Sequence, residues 1–302
     1  DTKSYYFFFK HLAFITLAIV ILIIFSFLNQ KFLTKFSSLL FLVAFLSLLL
    51  LPFLGIEVKG SKRWLDILFL PRFQPVEIVK PFFIVILSLM LTIENRRLYF
   101  KYFLSTLFIL PILMLLVYQP DIGQTILISM VWLALIFVSG INIFVFFVFF
   151  LLVGSVVSYL VIFVPKFEYI KIRLLAFLDS NSGNNYQAEK ASDAIINGGF
   201  FGKGIGEGTL NSRVPEAHTD YIVSVISEEF GAIIVIGILF MYLILSYKII
   251  KKINSINEDL SKLILIGCVS LILLQTFIHI GVNIRILPTT GMTLPFLSYG
   301  GS

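Results

Sequence analysis

The chain has 302 residues, of which 59% are hydrophobic and 13% are charged. An ordinary soluble domain is about 45–50% apolar and about 25% charged, so this composition excludes that class and predicts one polytopic membrane bundle. The formal net charge of +6 then indicates membrane topology, anionic headgroups or a phosphorylated substrate, and it gives no reason to expect nucleic acid. With Cys268 as its single cysteine, the chain can form no internal disulfide, and no metal-ligand spacing exists.

Eight stretches are apolar enough to predict membrane-spanning helices, since a span needs about 20 mostly apolar residues. These spans cover residues 12–28, 37–54, 76–93, 102–118, 125–138, 143–164, 221–247 and 260–282. The predicted fold class is all-α, a polytopic transmembrane helix bundle in one membrane domain over residues 1–302. A large polar loop, residues 165–220, separates the sixth and seventh spans, and no internal repeat is evident.

The basic residues outside the spans give a prediction of topology. Nine lie in the connections after the odd-numbered spans, and seven lie in the short loops and at the start of the chain on the opposite face, with the large loop left out of the count. The positive-inside rule therefore places the first face in the cytoplasm and the large loop outside it. Basic residues on the outer face oppose the usual bias, which suggests that some of them serve a site.

The first polar constellation lies between the second and third spans, at residues 62–64 and 74–80. Glu77 and Lys80 are three residues apart at the start of a helix, so they share one face and are expected to pair. One interpretation is a helix entry with a structural ion pair and an interfacial Trp64. In the other, Arg63 and Lys80 hold a phosphate group.

The second constellation, residues 119–125, joins the fourth and fifth spans. Asp121 directly precedes the fifth predicted helix, where a carboxylate can cap free backbone amides. The alternative is that Asp121 binds a substrate or an ion.

A glycine-rich run occupies residues 198–208 of the large loop, with six glycines in eleven residues. The run is interpreted either as a flexible loop or as backbone that must lie close to a ligand or to another loop. It matches neither a Walker nor a Rossmann phosphate-binding pattern.

The clearest functional signal is the motif at residues 215–221, where the large loop enters the seventh span. Two acids and a histidine at the mouth of an apolar helix are costly without a function, although Thr219 or Asp220 alone would also serve as a helix cap. Glu228 and Glu229 follow within an apolar run, where a buried carboxylate needs a partner or has a raised pKa. In an ideal helix, Asp220 and Glu228 lie on roughly the same side.

The last segment, residues 283–302, contains prolines and glycines that prevent a continuous helix. Irregular backbone at membrane depth persists only where protein shields it or where it lines a cavity. The alternative interpretation is a mobile surface loop.

Taken together, these motifs resemble the FtsW/RodA (SEDS) family, in the family's order and over nearly the whole chain. The resemblance is carried by residues 60–64, 74–80, 119–123, 215–221, 228–231 and 287–302. Ala217 before His218, and Thr293 before Leu294, favour the FtsW branch over RodA. Two departures are small: Val76 replaces a usual Ser or Ala, and Arg285 is an unusual charge.

The resemblance implies ten spans in the intact fold, so this chain is expected to lack the first and the last. An abrupt start at Asp1 and an end at Ser302 agree with that expectation. The location implied is the bacterial inner membrane, at the division septum.

The resemblance also implies a peptidoglycan glycosyltransferase that polymerises lipid II on the outer leaflet, with undecaprenyl-pyrophosphate-linked glycan as donor. Asp220 is the implied general base. The expected substrate-binding residues are Arg63, Trp64, Gln74, Glu77, Lys80, Asp121, His218, Thr219 and Ser298. A divalent cation, Mg²⁺ or Mn²⁺, is a further expectation, with Asp220 and Asp121 as candidate ligands.

Two further expectations follow from the resemblance. The implied partners are a class B penicillin-binding transpeptidase resembling FtsI and other proteins of the division machinery. The alternative function is a lipid II flippase, which would show repeat symmetry and ionisable groups along an alternating path.

Overall fold

The computed structural model describes residues 2–58, 61–66, 72–94, 96–178, 186–214 and 217–298. Parts of three motifs, at residues 60, 215–216 and 299–302, lie outside the described residues. The described residues form twelve α-helices and one short antiparallel hairpin. The helices are α1 (Thr2–Phe27), α2 (Gln30–Leu54), α3 (Pro75–Leu91), α4 (Leu98–Tyr118), α5 (Ile122–Val138), α6 (Ile143–Phe163), α7 (Glu168–Leu178), α8 (Tyr186–Gly198), α9 (Leu210–Arg213), α10 (Ile222–Phe230), α11 (Ala232–Ile253) and α12 (Asp259–Asn283). The hairpin strands are β1 (Ile56–Val58) and β2 (Ser61–Trp64).

Among the described residues, four helices are long and apolar enough to cross a membrane: α2, α4, α11 and α12. Shorter apolar helices cover residues 12–27, 122–138 and 143–155. These helices support a multi-pass helical membrane protein. A helix coincides with each predicted span, although the number of membrane crossings stays a prediction.

The predicted seventh span is not one helix. It divides into α10 and α11, because Gly231 between them has φ +86° and ψ 168°, a conformation open essentially only to glycine. Helices α1, α2 and α4 begin earlier than predicted, since their first turns are polar or aromatic residues that an apolar window excludes.

The hydrophobic core lies among α2, α3, α4, α5 and α12. Leu48, Phe83, Ile112 and Leu135 are fully buried there, and the outward faces of the helices carry many exposed large apolar side chains. Exposed apolar faces on long helices are expected where lipid replaces water.

A second, smaller core joins the large loop to the end of α12. Ala191 and Ala194 of α8 pack with Tyr221 and with Val282 of α12. Small alanines let α8 approach α10 closely. This packing places the Asp220 motif beside the end of α12.

The glycine-rich run is held closely against α10 and the start of α11, and so its close partners are two helices, where the second interpretation named a ligand or another loop. The amide of Lys203 donates to the Glu228 carbonyl at 2.9 Å, and the amide of Ala232 donates to the Gly199 carbonyl at 2.9 Å. A Cβ on Gly198 would overlap the Ser227 carbonyl. These contacts exclude a freely flexible loop over this stretch.

The buried Glu228 carboxylate is paired, as the sequence required. It accepts hydrogen bonds from Lys203 Nζ at 3.2 Å, from Thr209 Oγ1 at 3.1 Å and from the Leu210 amide at 3.0 Å. Glu228 therefore fastens both ends of residues 203–210 to α10.

We expect Gly231→Ala to destabilise the fold by about 1–3 kcal/mol or more, because a Cβ there is strained and overlaps the Phe200 carbonyl. Gly237→Ala is the matched control, since a Cβ at that position of α11 meets no atom within 4 Å. The control should be neutral or up to about 1 kcal/mol stabilising. Thermal unfolding in detergent measures both. Equal melting temperatures for the two variants would contradict this account of the helix break.

Candidate functional site

Three motifs that are far apart in the sequence meet at Gly291. Oδ2 of Asp220 lies 3.5 Å, and Nη1 of Arg63 lies 4.0 Å, from the position that a Cβ on Gly291 would occupy. Gly291 has φ +66°, which also favours glycine. A side chain at residue 291 would therefore project towards both the carboxylate and the guanidinium. The half-buried Asp220 is the carboxylate at the centre of the site.

The backbone that carries Asp220 is fixed from two sides. Asn283, at the end of α12, is fully buried, and its Nδ2 donates to the Asp220 carbonyl at 3.2 Å and to the His279 carbonyl at 2.8 Å. Its Oδ1 accepts from Ser224 Oγ at 2.7 Å. Asn283 thus joins α12 to the first turn of α10 and to Asp220, two residues before that turn.

Ser298 fixes the same backbone from the C-terminal segment. Its hydroxyl donates to the Thr219 carbonyl at 2.7 Å and accepts from the Leu294 amide at 2.7 Å. Ser298 is buried, so the structure gives it a positioning contact; substrate binding by Ser298 stays a prediction.

Arg63 lies on β2 and points to the connection between α4 and α5. Its guanidinium donates to the carbonyls of Gln119 and Pro120, and Nη1 lies 3.8 Å from the Asp121 carboxylate. These partners hold the cation in one orientation. Its side chain remains 16% exposed, so the group is not sealed inside the protein.

Asp121 is the N-cap of α5, as one interpretation of the second constellation predicted. Its carboxylate accepts from the Gln124 amide at 3.5 Å, and the side chain is buried. Burial raises the pKa of the Asp121 carboxyl above its ordinary value, while the neighbouring Arg63 guanidinium opposes the rise. Asp121 has a second structural role, because its carboxylate also pairs with Arg63.

Glu77 and Lys80 form the predicted ion pair, with Nζ to Oε2 at 2.6 Å. The pair belongs to a longer buried network. Gln124 Nε2 donates to Glu77 at 2.8 Å, Lys80 donates to Gln275 Oε1 at 3.1 Å, and Gln275 Nε2 donates to the Thr293 carbonyl at 2.9 Å. Lys80 therefore connects α3 to α12 and, through Gln275, to the C-terminal segment.

Part of the C-terminal segment is shielded by protein, which favours the first interpretation there, while Ile286 and Phe296 are exposed. Met292 and Leu294 are buried, and the Met292 carbonyl lies 2.7 Å from His279 Nδ1. The Tyr242 hydroxyl donates to the Pro295 carbonyl. Irregular backbone is stable here because side chains from the helices take the hydrogen bonds that water would otherwise supply.

Four further predicted residues lie near these elements. Trp64 is half-buried on β2, Gln74 is half-buried before α3, Thr219 is half-buried and His218 is exposed. Gln74 makes no side-chain cap to α3. Their substrate contacts stay predictions.

A model of the family described as cell cycle protein, which groups FtsW, RodA and SpoVE, matches residues 1–302. The chain belongs to the FtsW/RodA/SpoVE family. The probable peptidoglycan glycosyltransferase FtsW of Caulobacter vibrioides is 32% identical over 297 residues, which cover 96% of this chain and 73% of the relative. The protein of the same name from Coxiella burnetii is 34% identical over 312 residues, covering 99% and 82%.

Solved structures agree with this family assignment. A chain of a peptidoglycan synthase complex that coordinates polymerization and crosslinking has a TM-score of 0.81 and 25% identity, covering 98% of this chain and 84% of that one. The rod shape determining protein RodA of Thermus thermophilus has a TM-score of 0.67 at 24% identity, covering 97% and 81%, and indicates the fold alone.

In this member of the FtsW/RodA/SpoVE family, no three His, Cys, Asp or Glu residues within the described ranges are grouped to hold a metal ion. The Asp121 carboxylate already faces Arg63 and the Gln124 amide. The described residues therefore offer no group of three such ligands, and the Mg²⁺ or Mn²⁺ expectation stays a prediction.

Gln275, His279 and Asn283 support the site and are not among the predicted site residues. All three are polar residues within the last apolar helix. Polar side chains at membrane depth are costly, so their position in an apolar helix is a signal visible in the sequence.

Breaking the Glu77–Lys80 pair with Lys80→Met should destabilise the protein by about 3–5 kcal/mol, because a largely buried carboxylate loses its cation. Adding Glu77→Gln should recover part of that loss. Lys262→Met is the matched control, since Lys262 and Asp259 are also three residues apart but Asp259 is exposed and Lys262 only half-buried, and it should cost at most about 1 kcal/mol. Unfolding in a mixed-micelle titration measures each free energy. A double variant that is no more stable than Lys80→Met alone would contradict the assignment of Glu77 and Lys80 as a buried ion pair.

Asn283→Ala should cost about 1–3 kcal/mol, because it leaves buried groups on Ser224 and the Asp220 carbonyl without their partner. Asn254→Ala, at the exposed end of α11, should change stability by no more than about 0.5 kcal/mol. Differential scanning fluorimetry compares the two. If both variants melt together, Asn283 does not support the Asp220 backbone.

Proposed function

We propose that this chain is a peptidoglycan glycosyltransferase that polymerises lipid II at the outer face of the bacterial inner membrane during septal division, with Asp220 as general base. One observation carries the proposal: the Asp220 carboxylate and the Arg63 guanidinium converge on Gly291 from separate motifs. Relatives named as probable peptidoglycan glycosyltransferases support the reaction class.

The proposed step is a displacement at the anomeric carbon of the donor glycan. The acceptor hydroxyl of lipid II forms the new C–O bond while its proton passes to the Asp220 carboxylate. The bond from the anomeric carbon to the pyrophosphate oxygen breaks, and the leaving pyrophosphate keeps the electron pair. A base must accept the proton, and a fixed positive charge stabilises the anion that develops on the leaving group.

Arg63 is the better candidate for the pyrophosphate contact than Lys80. Arg63 is partly exposed and, like the Asp220 carboxylate, lies near Gly291. A guanidinium has five N–H donors, so Arg63 retains donors beyond those that bond to the Gln119 and Pro120 carbonyls. Lys80 is 3% exposed and already donates to Glu77 and Gln275. We assign Lys80 to holding the C-terminal segment in place.

Asp220 and Arg63 supply the base and the positive charge for the step as it is proposed here, and the step is written with these two groups alone.

A transpeptidase of the class B penicillin-binding type is the proposed partner, together with other division proteins. The structural neighbour belongs to a synthase complex that couples polymerization to crosslinking, which supports a partner of that class.

The decisive variant is Asp220→Asn, which keeps the size of the side chain and removes its basicity. We expect glycan synthesis from fluorescent lipid II to fall by at least about 100-fold, as the loss of a general base implies. Asp193→Asn is the control, because Asp193 is an exposed carboxylate paired with Lys190 on α8. It should leave synthesis unchanged.

A vesicle assay of lipid II transfer distinguishes the proposed glycosyltransferase from the flippase alternative. Under the proposal, Asp220→Asn protein of normal melting temperature makes no glycan, and purified wild-type protein polymerises lipid II supplied on its outer side. Wild-type protein that moves lipid II across the bilayer and makes no glycan would overturn the proposal, as would full polymerisation by Asp220→Asn.

A further inference from the structure

An apolar turn projects from the large loop beside the start of α11. It is formed by residues 196–206, and four of its large side chains are among the most exposed in the described chain. Their exposed fractions are 74% for Ile196, 71% for Phe200, 84% for Phe201 and 80% for Ile205. Burying two phenylalanines is strongly favourable, so leaving both in water would be costly.

The apolar turn is rigidly attached to the end of a membrane helix. The amides of Ala232 and Ile233, in the first turn of α11, donate to the carbonyls of Gly199 and Phe200 at 2.9 and 3.4 Å. Gly231 contacts the Phe200 carbonyl so closely that no side chain fits between them. Phe200 and Phe201 therefore have a fixed position at the level where α11 begins.

The apolar turn continues a surface that faces lipid. Helix α11 is long and apolar enough to span a membrane, and its first turns expose Ile233, Ile234 and Ile236 by 48%, 47% and 60%. The backbone of Phe200 adjoins those turns, so its side chain extends the same apolar surface outwards. Continuity with a spanning helix is what favours lipid over a protein as the occupant.

The charge of the apolar turn also suits a lipid surface. Lys203 is its one ionisable residue, and the ammonium group pairs with Glu228 while the side chain stays 35% exposed. That pairing balances the charge of Lys203, so the turn brings no uncompensated charge into an apolar layer. No carboxylate occurs between residues 196 and 206 to be repelled by anionic headgroups.

We infer that the apolar turn inserts Phe200 and Phe201 into the boundary between headgroups and acyl chains, as an interfacial contact additional to the spans. Aromatic side chains next to a cationic one are typical of such contacts. The turn is hydrogen-bonded to α10, which begins two residues after Asp220. The contact is thus linked through α10 to the segment that carries Asp220. This inference holds whether or not Asp220 is the base.

The test places an environment-sensitive fluorophore on the turn. In a Cys268→Ser background, Phe201→Cys labelled with a nitrobenzoxadiazole dye is reconstituted in phosphatidylethanolamine–phosphatidylglycerol nanodiscs. We expect blue-shifted emission and about twofold quenching by lipids that carry a nitroxide high on the acyl chain. Glu207→Cys is the matched control in the same loop; Glu207 is exposed and charged, so its label should report water and escape quenching.

Phe200→Cys and Ile205→Cys provide second positions if the first variant folds poorly. Water-like emission without lipid quenching at all three positions would overturn the inference. Shielding that develops only when a transpeptidase is added would also overturn it, and would identify the apolar turn as a protein-binding surface.

Discussion

The structure depends on a set of buried hydrogen bonds that hold an irregular C-terminal segment inside an apolar bundle. Gln275, His279 and Asn283 lie along one helix, α12, and each bonds to backbone of the segment or of the Asp220 motif. A membrane interior supplies no water to pair with free carbonyls and amides. A broken chain at this depth is stable only because these side chains replace the solvent.

The same bonds explain how a site can be assembled from motifs that are distant in sequence. The carbonyls of Thr219 and Asp220 are held by Ser298 and Asn283, while the guanidinium of Arg63 is held by the connection between α4 and α5. Each functional group is thus positioned by a different helix end. Small displacements of catalytic groups are costly, so under the proposed function the polar network has a functional as well as a structural purpose.

Sequence reasoning located the motifs because their physical signals are local. The three-residue spacing of Glu77 and Lys80 predicted an ion pair, and the position of Asp121 before an apolar run predicted a cap; both are present. The convergence of Asp220 with Arg63 at Gly291 was implied only by family resemblance, since no local pattern reports a contact across more than 150 residues. The break between α10 and α11 at Gly231 was not predicted, because hydropathy contains no information about backbone torsion angles. The side-chain amides of Gln275 and Asn283 in α12 were not singled out, because one polar residue among apolar ones leaves the average hydropathy of the segment high.

The way in which Arg63 is held has a consequence for how the site selects what it binds. A free arginine samples many rotamers and adapts to whatever anion arrives. Here carbonyls and a carboxylate from the α4–α5 connection have already fixed the plane of the guanidinium. The orientational entropy is lost when the chain folds and not when the ligand arrives. A guanidinium held in this way discriminates between anions by their position. An anion in line with its N–H groups forms the strongest interaction, whereas the guanidinium cannot move to meet an anion that is slightly displaced.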